Sequence, residues 1–170
     1  MTAREFRRAE SVLVVVFSDD GNVLLLKRSQ PFEFWQSVTG SLNVGESHEH
    51  AAARELLEET GLKDEGDLYF TGISRQFTID PRWRNRFAPG TTENVEYEYH
   101  YRLRRCVSVT IAISDDEHSA YEWLSISDAI ERVWSWTNRK ALEHLQIIYS
   151  QSSLSDKPMN VQPISNSVDE

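Results

Sequence analysis

The chain reads as a single α/β domain, a layered sandwich of strands and helices, and three observations point there. Runs of β-branched and aliphatic residues are mixed along the 170 residues with stretches of helical period. There are no internal repeats. A composition of 39% hydrophobic and 11% aromatic residues supports a real core, at a length short for two domains.

Each element follows in order. Residues 11–17 and 22–27 are apolar runs split by the turn sequence SDDG, the pattern of a hairpin. A third short strand is expected at 35–38. Ser47 suits an N-cap, residues 48–60 suit a helix, and Gly61 suits its end. Residues 68–77 and 95–103 read as extended. In the second, Tyr97, Tyr99, Tyr101 and Leu103 alternate with Glu96, Glu98, His100 and Arg102, the period of a half-buried strand. Between these two runs, TIDPRWRNRFAPGTTEN carries two prolines and a glycine and reads as a long loop. A strand is expected at 121–124 and helices at 127–133 and 137–149. From Gln151 the chain is polar, contains proline and lacks period, so residues 1–150 are read as the folded domain and 151–170 as a disordered tail.

Composition also narrows the function classes. The longest aliphatic run, residues 12–17, is too short to span a bilayer. MTAREFRRAE has no apolar segment of a secretory signal, and Cys106 is the single cysteine, so a reducing, cytoplasmic setting is expected. A net charge of −9 argues against a nucleic-acid coat or an anionic membrane surface as partner. It leaves room for a small phosphorylated substrate, provided divalent cations stand between the two sets of oxygens.

The stretch ARELLEETG places Glu55, Glu58 and Glu59 in the last turns of the expected helix, where the helix dipole disfavours carboxylates. At about 100° per residue they share one face, with Arg54 beside Glu58. Ala52, Ala53, Leu56, Leu57 and Thr60 fill the opposite arc and are expected to pack on a sheet. One turn back, the carboxylate face carries only Ala51, which leaves room for something to dock. A solvated acidic face is the plain alternative. Converging oxygens also suit Mg²⁺, a hard cation held by a few carboxylates, phosphates and water.

From Gly40 to Leu62 the sequence GSLNVGESHEHAAARELLEETGL resembles the Nudix box: a glycine, five residues, a glutamate, seven residues, then R-E-U-x-E-E-x-G-U with U aliphatic. Gly40, Glu46, Arg54, Glu55, Leu56, Glu58, Glu59, Gly61 and Leu62 fill every fixed position. The resemblance implies a Nudix hydrolase, an α/β/α sandwich with a mixed sheet and the box as a loop–helix–loop, that cleaves a polyphosphate using Mg²⁺ or Mn²⁺. It implies Glu55 and Glu59 as metal ligands, Glu58 as a third ligand or proton acceptor, and Arg54 as their orienter. Glu46 would support the loop, and Gly40 would let the backbone approach metal and phosphate.

Five further stretches, RRAESVLVVVF, FWQSVTGSL, RNRFAPGTTEN, EHSAYEWL and SWTNRKALEHL, resemble the bacterial dihydroneopterin triphosphate pyrophosphatases of folate biosynthesis. The implied reaction yields dihydroneopterin monophosphate and pyrophosphate. In themselves Arg7, Arg8 and Arg28 read as surface charge, Thr39 as a strand residue, and Trp134 and Trp136 as core. The resemblance implies that Arg7, Arg28, Thr39 and Ser135 face the substrate, that the loop at Ile79 and Asp80 lines the pocket, and that Glu117 is a metal ligand from outside the box. Arg82, Arg84 and Arg86 read equally as substrate-facing or solvated. The rivals are a broader Nudix pyrophosphatase for nucleoside triphosphates, dinucleoside polyphosphates or ADP-ribose, and a non-catalytic Nudix binding module. Such modules usually lose box glutamates, and none is missing here.

Overall fold

An apolar side chain at every position of VLVVVF suits a strand covered on both faces. In the computed structural model, which describes residues 5–108 and 118–155, that run forms the middle of β1 (Glu10–Ser18). Val12, Val14 and Val16 join a core with Leu24, Leu26, Tyr99 and Tyr101 beneath helix α1 (His48–Thr60). Leu13, Val15 and Phe17 point the other way, to α2 (Ile126–Arg132) and α3 (Trp136–Ser155). The period of two thus divides one strand between two cores, and the result is an α/β/α sandwich.

The remaining strands are β2 (Asn22–Arg28), β3 (Phe34–Gln36), β4 (Val38–Ser41), β5 (Asp67–Thr78), β6 (Glu93–Leu103) and β7 (His118–Ser125). The main path runs β3-β2-β1-β6-β5, with β4 paired to β1 and β7 to β2. β1 and β6 are parallel from Glu10↔Val95 to Ser18↔Leu103, whereas the other pairs are antiparallel, so the sheet is mixed.

Four expectations change. The hairpin holds only at its turn, where Phe17 faces Val23. Beyond it β1 takes β4 as partner and β2 takes β3 and β7, because the one strand expected near Trp35 is two, separated at Ser37. Residues 39–41, Thr-Gly-Ser, have weak strand preference, and pairing to β1 decides their conformation.

Most of the polar face of β6 is not solvated: Glu96, Glu98 and His100 are buried under α3, and only Arg102 at its end is exposed. Alternation reports two faces, not whether a second layer covers the polar one. The last change is at the end of α3, which continues to Ser155 and places the expected boundary at Gln151 inside a helix. Residues 156–170 lie outside the described residues.

Candidate active site

Helix α1 starts and stops where its end residues dictate. The Ser47 side chain accepts from the His50 N–H, and Gly61 takes φ 75°, a left-handed angle that glycine adopts without steric cost, while its N–H donates to Leu57 O. The roll of the helix differs from expectation. Ala51, Ala52, Leu56, Glu59 and Thr60 are buried, whereas Ala53 and Leu57 are exposed. The carboxylate edge is therefore turned inward against β4. Ala51 belongs to the core and leaves no docking space.

Gly40 makes that roll sterically feasible. A Cβ there would overlap the carboxyl group of Glu55, so the residue is glycine for the sake of Glu55 rather than for a backbone angle. Next door, Thr39 N–H donates to Glu59 Oε2 (3.2 Å), and Glu59 is 7% exposed. Glu58 is exposed.

Arg54 ties the cluster to the preceding loop. Its guanidinium makes two bonds of 2.8 Å to Glu46, one of 2.8 Å to Glu55 and one of 3.3 Å to Glu58, and also donates to Ser41 O. Glu46 accepts further from Asn43 N–H and lies 2.7 Å from His50 Nδ1. The Arg54 hydrogen bonds, outweighing burial, hold the Glu46 carboxyl down at about 2. From just before β1, Arg8 donates to Asn43 O and Glu46 O at 2.9 Å. Both members of the basic pair before β1 line the cleft, and Arg8 also clamps the box loop.

That cleft has a volume of about 1180 Å³. It brings together Arg7, Arg28, Thr39, Gly40, Glu55, Glu58, Ile79, Asp80 and Ser135, residues from six separate stretches of chain. Glu59 lies behind Thr39. The Thr39 hydroxyl donates to Val12 O (2.9 Å), so toward a ligand it offers lone pairs. Arg28 is buried, with Nε bound to Gln30 O. Asp80 accepts from Arg82 N–H, Nε and Nη2, each at 2.9 Å, and those hydrogen bonds hold its carboxyl at about 2. Glu117 lies outside the described residues.

Of the three loop arginines, Arg86 lines the cleft. Arg82 stacks over Phe32 with its charge on Asp80, and Arg84 donates to Ile79 O. Trp134 and Trp136 are not core. They are 43% and 51% exposed and line the cleft. Trp134 packs with Phe34 (5.4 Å between centroids) and Trp83 (5.6 Å), giving the cleft an aromatic wall.

Several residues here were not singled out from sequence. His118 Nε2 lies 4.0 Å from Glu59 Oε1, and its only signal was its place in EHSAYEWL. Glu96 also lines the cleft, where burial pushes its carboxyl up to about 7 against the Thr137 hydrogen bond and the Arg75 charge. Glu98, His100 and His144 bring ligand-type atoms within 4.8 Å of one another. Glu98 and His100 lie under α3, which itself supplies His144, on the face of the sheet opposite α1. There Glu98 Oε1 bonds both imidazoles at 2.7 and 2.8 Å, and Oε2 accepts from Arg75.

Comparison with known proteins bears on this geometry. The NUDIX domain family matches residues 7–145, which include the whole loop–helix–loop. The chain belongs to the Nudix family. Within it, the chain is 35% identical over 151 residues to the dihydroneopterin triphosphate diphosphatase of Escherichia coli, covering 86% of this chain and 98% of that protein. It is 34% identical to the enzyme of that name from Haemophilus influenzae, covering 82% and 88%. The structure of the E. coli dihydroneopterin triphosphate pyrophosphohydrolase superposes with a TM-score of 0.78 at 35% identity, over 84% of this chain and 98% of that one.

Nudix hydrolases use divalent metal ions, and the donor set here fits one. Glu55, Glu58 and Glu59 supply hard carboxylate oxygens at one edge of α1, and Gly40 leaves the space that Glu55 occupies. Among the described residues, no helix is long and apolar enough to cross a membrane.

Proposed function

We propose that this Nudix protein hydrolyses dihydroneopterin triphosphate to dihydroneopterin monophosphate and pyrophosphate in cytoplasmic folate biosynthesis, with Mg²⁺ as its preferred ion and Mn²⁺ as a substitute. One observation carries the reading: a single cleft joins the box carboxylates, basic side chains and an aromatic wall. A phosphate chain ending in a flat heterocycle asks for those three surfaces. Similarity to the dihydroneopterin triphosphate diphosphatases supports the choice of heterocycle.

Glu55 and Glu59 would hold the ion, with Glu117 completing the set. Bound there, a divalent cation would supply Lewis-acid polarisation of phosphate oxygens and of an attacking water. The protein's own groups do the rest. Arg54 fixes the Glu55 carboxylate through one oxygen and is itself immobilised by Glu46. Glu58, exposed on the cleft, would accept a proton from water. Arg7, Arg28 and Arg86 offset charge along the phosphate chain. Ile79 and Ser135 border the ring.

The test is a competition at equal concentration between dihydroneopterin triphosphate and nucleoside triphosphates, with pyrophosphate and orthophosphate assayed separately. Pyrophosphate with a pterin preference on the order of 10²-fold or more is expected. Pyrophosphate without that preference leaves a broad Nudix pyrophosphatase. Orthophosphate as first product defeats the bond assignment.

A further inference from the structure

Glu96 stands apart from the other carboxylates of the cleft. Glu55 and Glu58 belong to α1, Asp80 is bound to Arg82, and Glu5 is exposed. Glu96 rises from β6 on the other face of the sheet, 7% exposed, and still reaches the cleft. Its side chain bonds Thr137, which lies 2.9 Å from Ser135 Oγ, next in sequence to Trp134 of the aromatic wall. Arg75 is its cross-strand partner on β5.

These contacts do not offset its burial. A carboxylate accepts at about four lone-pair positions, and losing water from them costs free energy unless donors replace it. The net effect of burial, Thr137, Arg75 and the neighbouring Glu98 disfavours the charged form. Asn94 and Asn138, which share the cleft lining with Glu96, hold other partners. Asn94 Nδ2 is committed to Ser11 Oγ (2.8 Å), and Asn138 spends its amide on Ser37, accepting from the backbone N–H (2.8 Å) and donating to Oγ (2.9 Å).

We propose that Glu96 reads the edge of the substrate's heterocycle, accepting hydrogen bonds from two adjacent ring-edge N–H groups while the ring lies against Trp134, Trp83 and Phe34. This rests on the reading of the substrate as a triphosphate that carries a pterin. The 2-amino-4-oxopyrimidine half of a pterin presents such a pair, the ring N3–H and the 2-amino group, to a carboxylate. Adenine instead presents one amino group beside a ring nitrogen whose lone pair faces the same oxygens. Glu96 is thereby a specificity residue, remote from the bond that breaks.

The experiment compares wild type with Glu96→Gln and Glu96→Asp, using dihydroneopterin triphosphate and ATP at saturating Mg²⁺. An amide replaces one acceptor by a donor. Loss of one charge-assisted bond lowers kcat/KM for the pterin by about 10- to 100-fold, mostly through KM. The ATP value stays level or rises. Glu96→Asp keeps the charge and loses less. Equal losses on both substrates, or no loss on either, overturn the proposal.

A second measurement separates this idea from the assignment of the reaction. Dihydroneopterin without phosphates is titrated by its fluorescence, with no metal present. Weaker binding by Glu96→Gln than by wild type supports edge recognition even if the triphosphate is not turned over. Equal binding, or none by wild type, refutes it. Unchanged thermal melting of the variants confirms that folding is intact, and if Glu96→Gln melts early, Glu96→Asp carries the same comparison.

Discussion

Gly40 shows how a single missing methyl group can set a catalytic geometry. Its φ lies outside the left-handed region, so alanine would be tolerated by the backbone, but its Cβ would overlap the Glu55 carboxyl group. The obstructed group is the far end of a flexible side chain, so the expected response is displacement of Glu55 rather than unfolding. Gly40→Ala should melt within about 4 °C of wild type. Its half-saturating Mg²⁺ should rise about 10- to 100-fold, the usual effect of disturbing a ligand's support. A magnesium titration of initial rate checks this, and an unchanged midpoint would separate Gly40 from Glu55. Direct removal is harsher: Glu55→Gln and Glu59→Gln should each lower turnover on the order of 10²-fold or more. Circular dichroism should remain native, since Leu56, Ala51 and Ala52 still anchor the helix.

At the scale of elements, the box loop is anchored at its start by buried Leu42 and held beyond it by ionic hydrogen bonds. Glu46 is their hub, bound to Arg54 by a two-bond fork and to Asn43 N–H. Its folded carboxyl titrates at about 2, below the ordinary 4.5, so its stabilisation is present above about 4.5 and is lost as pH falls toward 2. The shift corresponds to roughly 3 kcal/mol at most, and solvent screening reduces it to about 1–2. Denaturant unfolding from pH 5 to pH 2 should therefore fall less steeply for Glu46→Gln, which begins less stable at neutral pH. Parallel curves would refute the hub. The same helix shows what sequence can report. Its caps were legible because Ser47 and Gly61 act on their own local backbone. Its roll was not, because Glu59 turns inward only when Thr39 and Gly40 arrive from another strand. Likewise Trp134 and Trp136 read as core by size, and only the cleft between elements exposes them.

At the scale of the molecule, a chain of net charge −9 binds an anionic substrate only if local charge overrides the global field. The fold arranges this by separating signs. Carboxylates gather along α1, while Arg7, Arg28 and Arg86 reach the cleft from the N-terminal segment, β2 and the short 3-10 helix Arg84–Arg86. No local pattern marks that convergence. In RWRNR three arginines have equal standing by sequence, and the contacts of the folded loop sort them. Arg82 is spent on Asp80 and Phe32, and Arg84 on a backbone carbonyl, whereas Arg86 lines the cleft. If cleft charge rather than overall charge governs affinity, two substitutions with the same formal charge change should differ. Arg86→Ala should raise KM for dihydroneopterin triphosphate by about tenfold, the value of a lost charge-assisted hydrogen bond in a partly desolvated site. kcat should stay within about threefold, since the lost bond forms in the ground state as well as the transition state. Arg102→Ala, whose exposed ion pair with Asp19 lies outside the cleft, should leave both constants within about twofold. Steady-state kinetics at saturating Mg²⁺ and fixed ionic strength measure both variants. Equal KM increases would mean that overall charge sets affinity, and that the placement of Arg86 in the cleft has no special consequence.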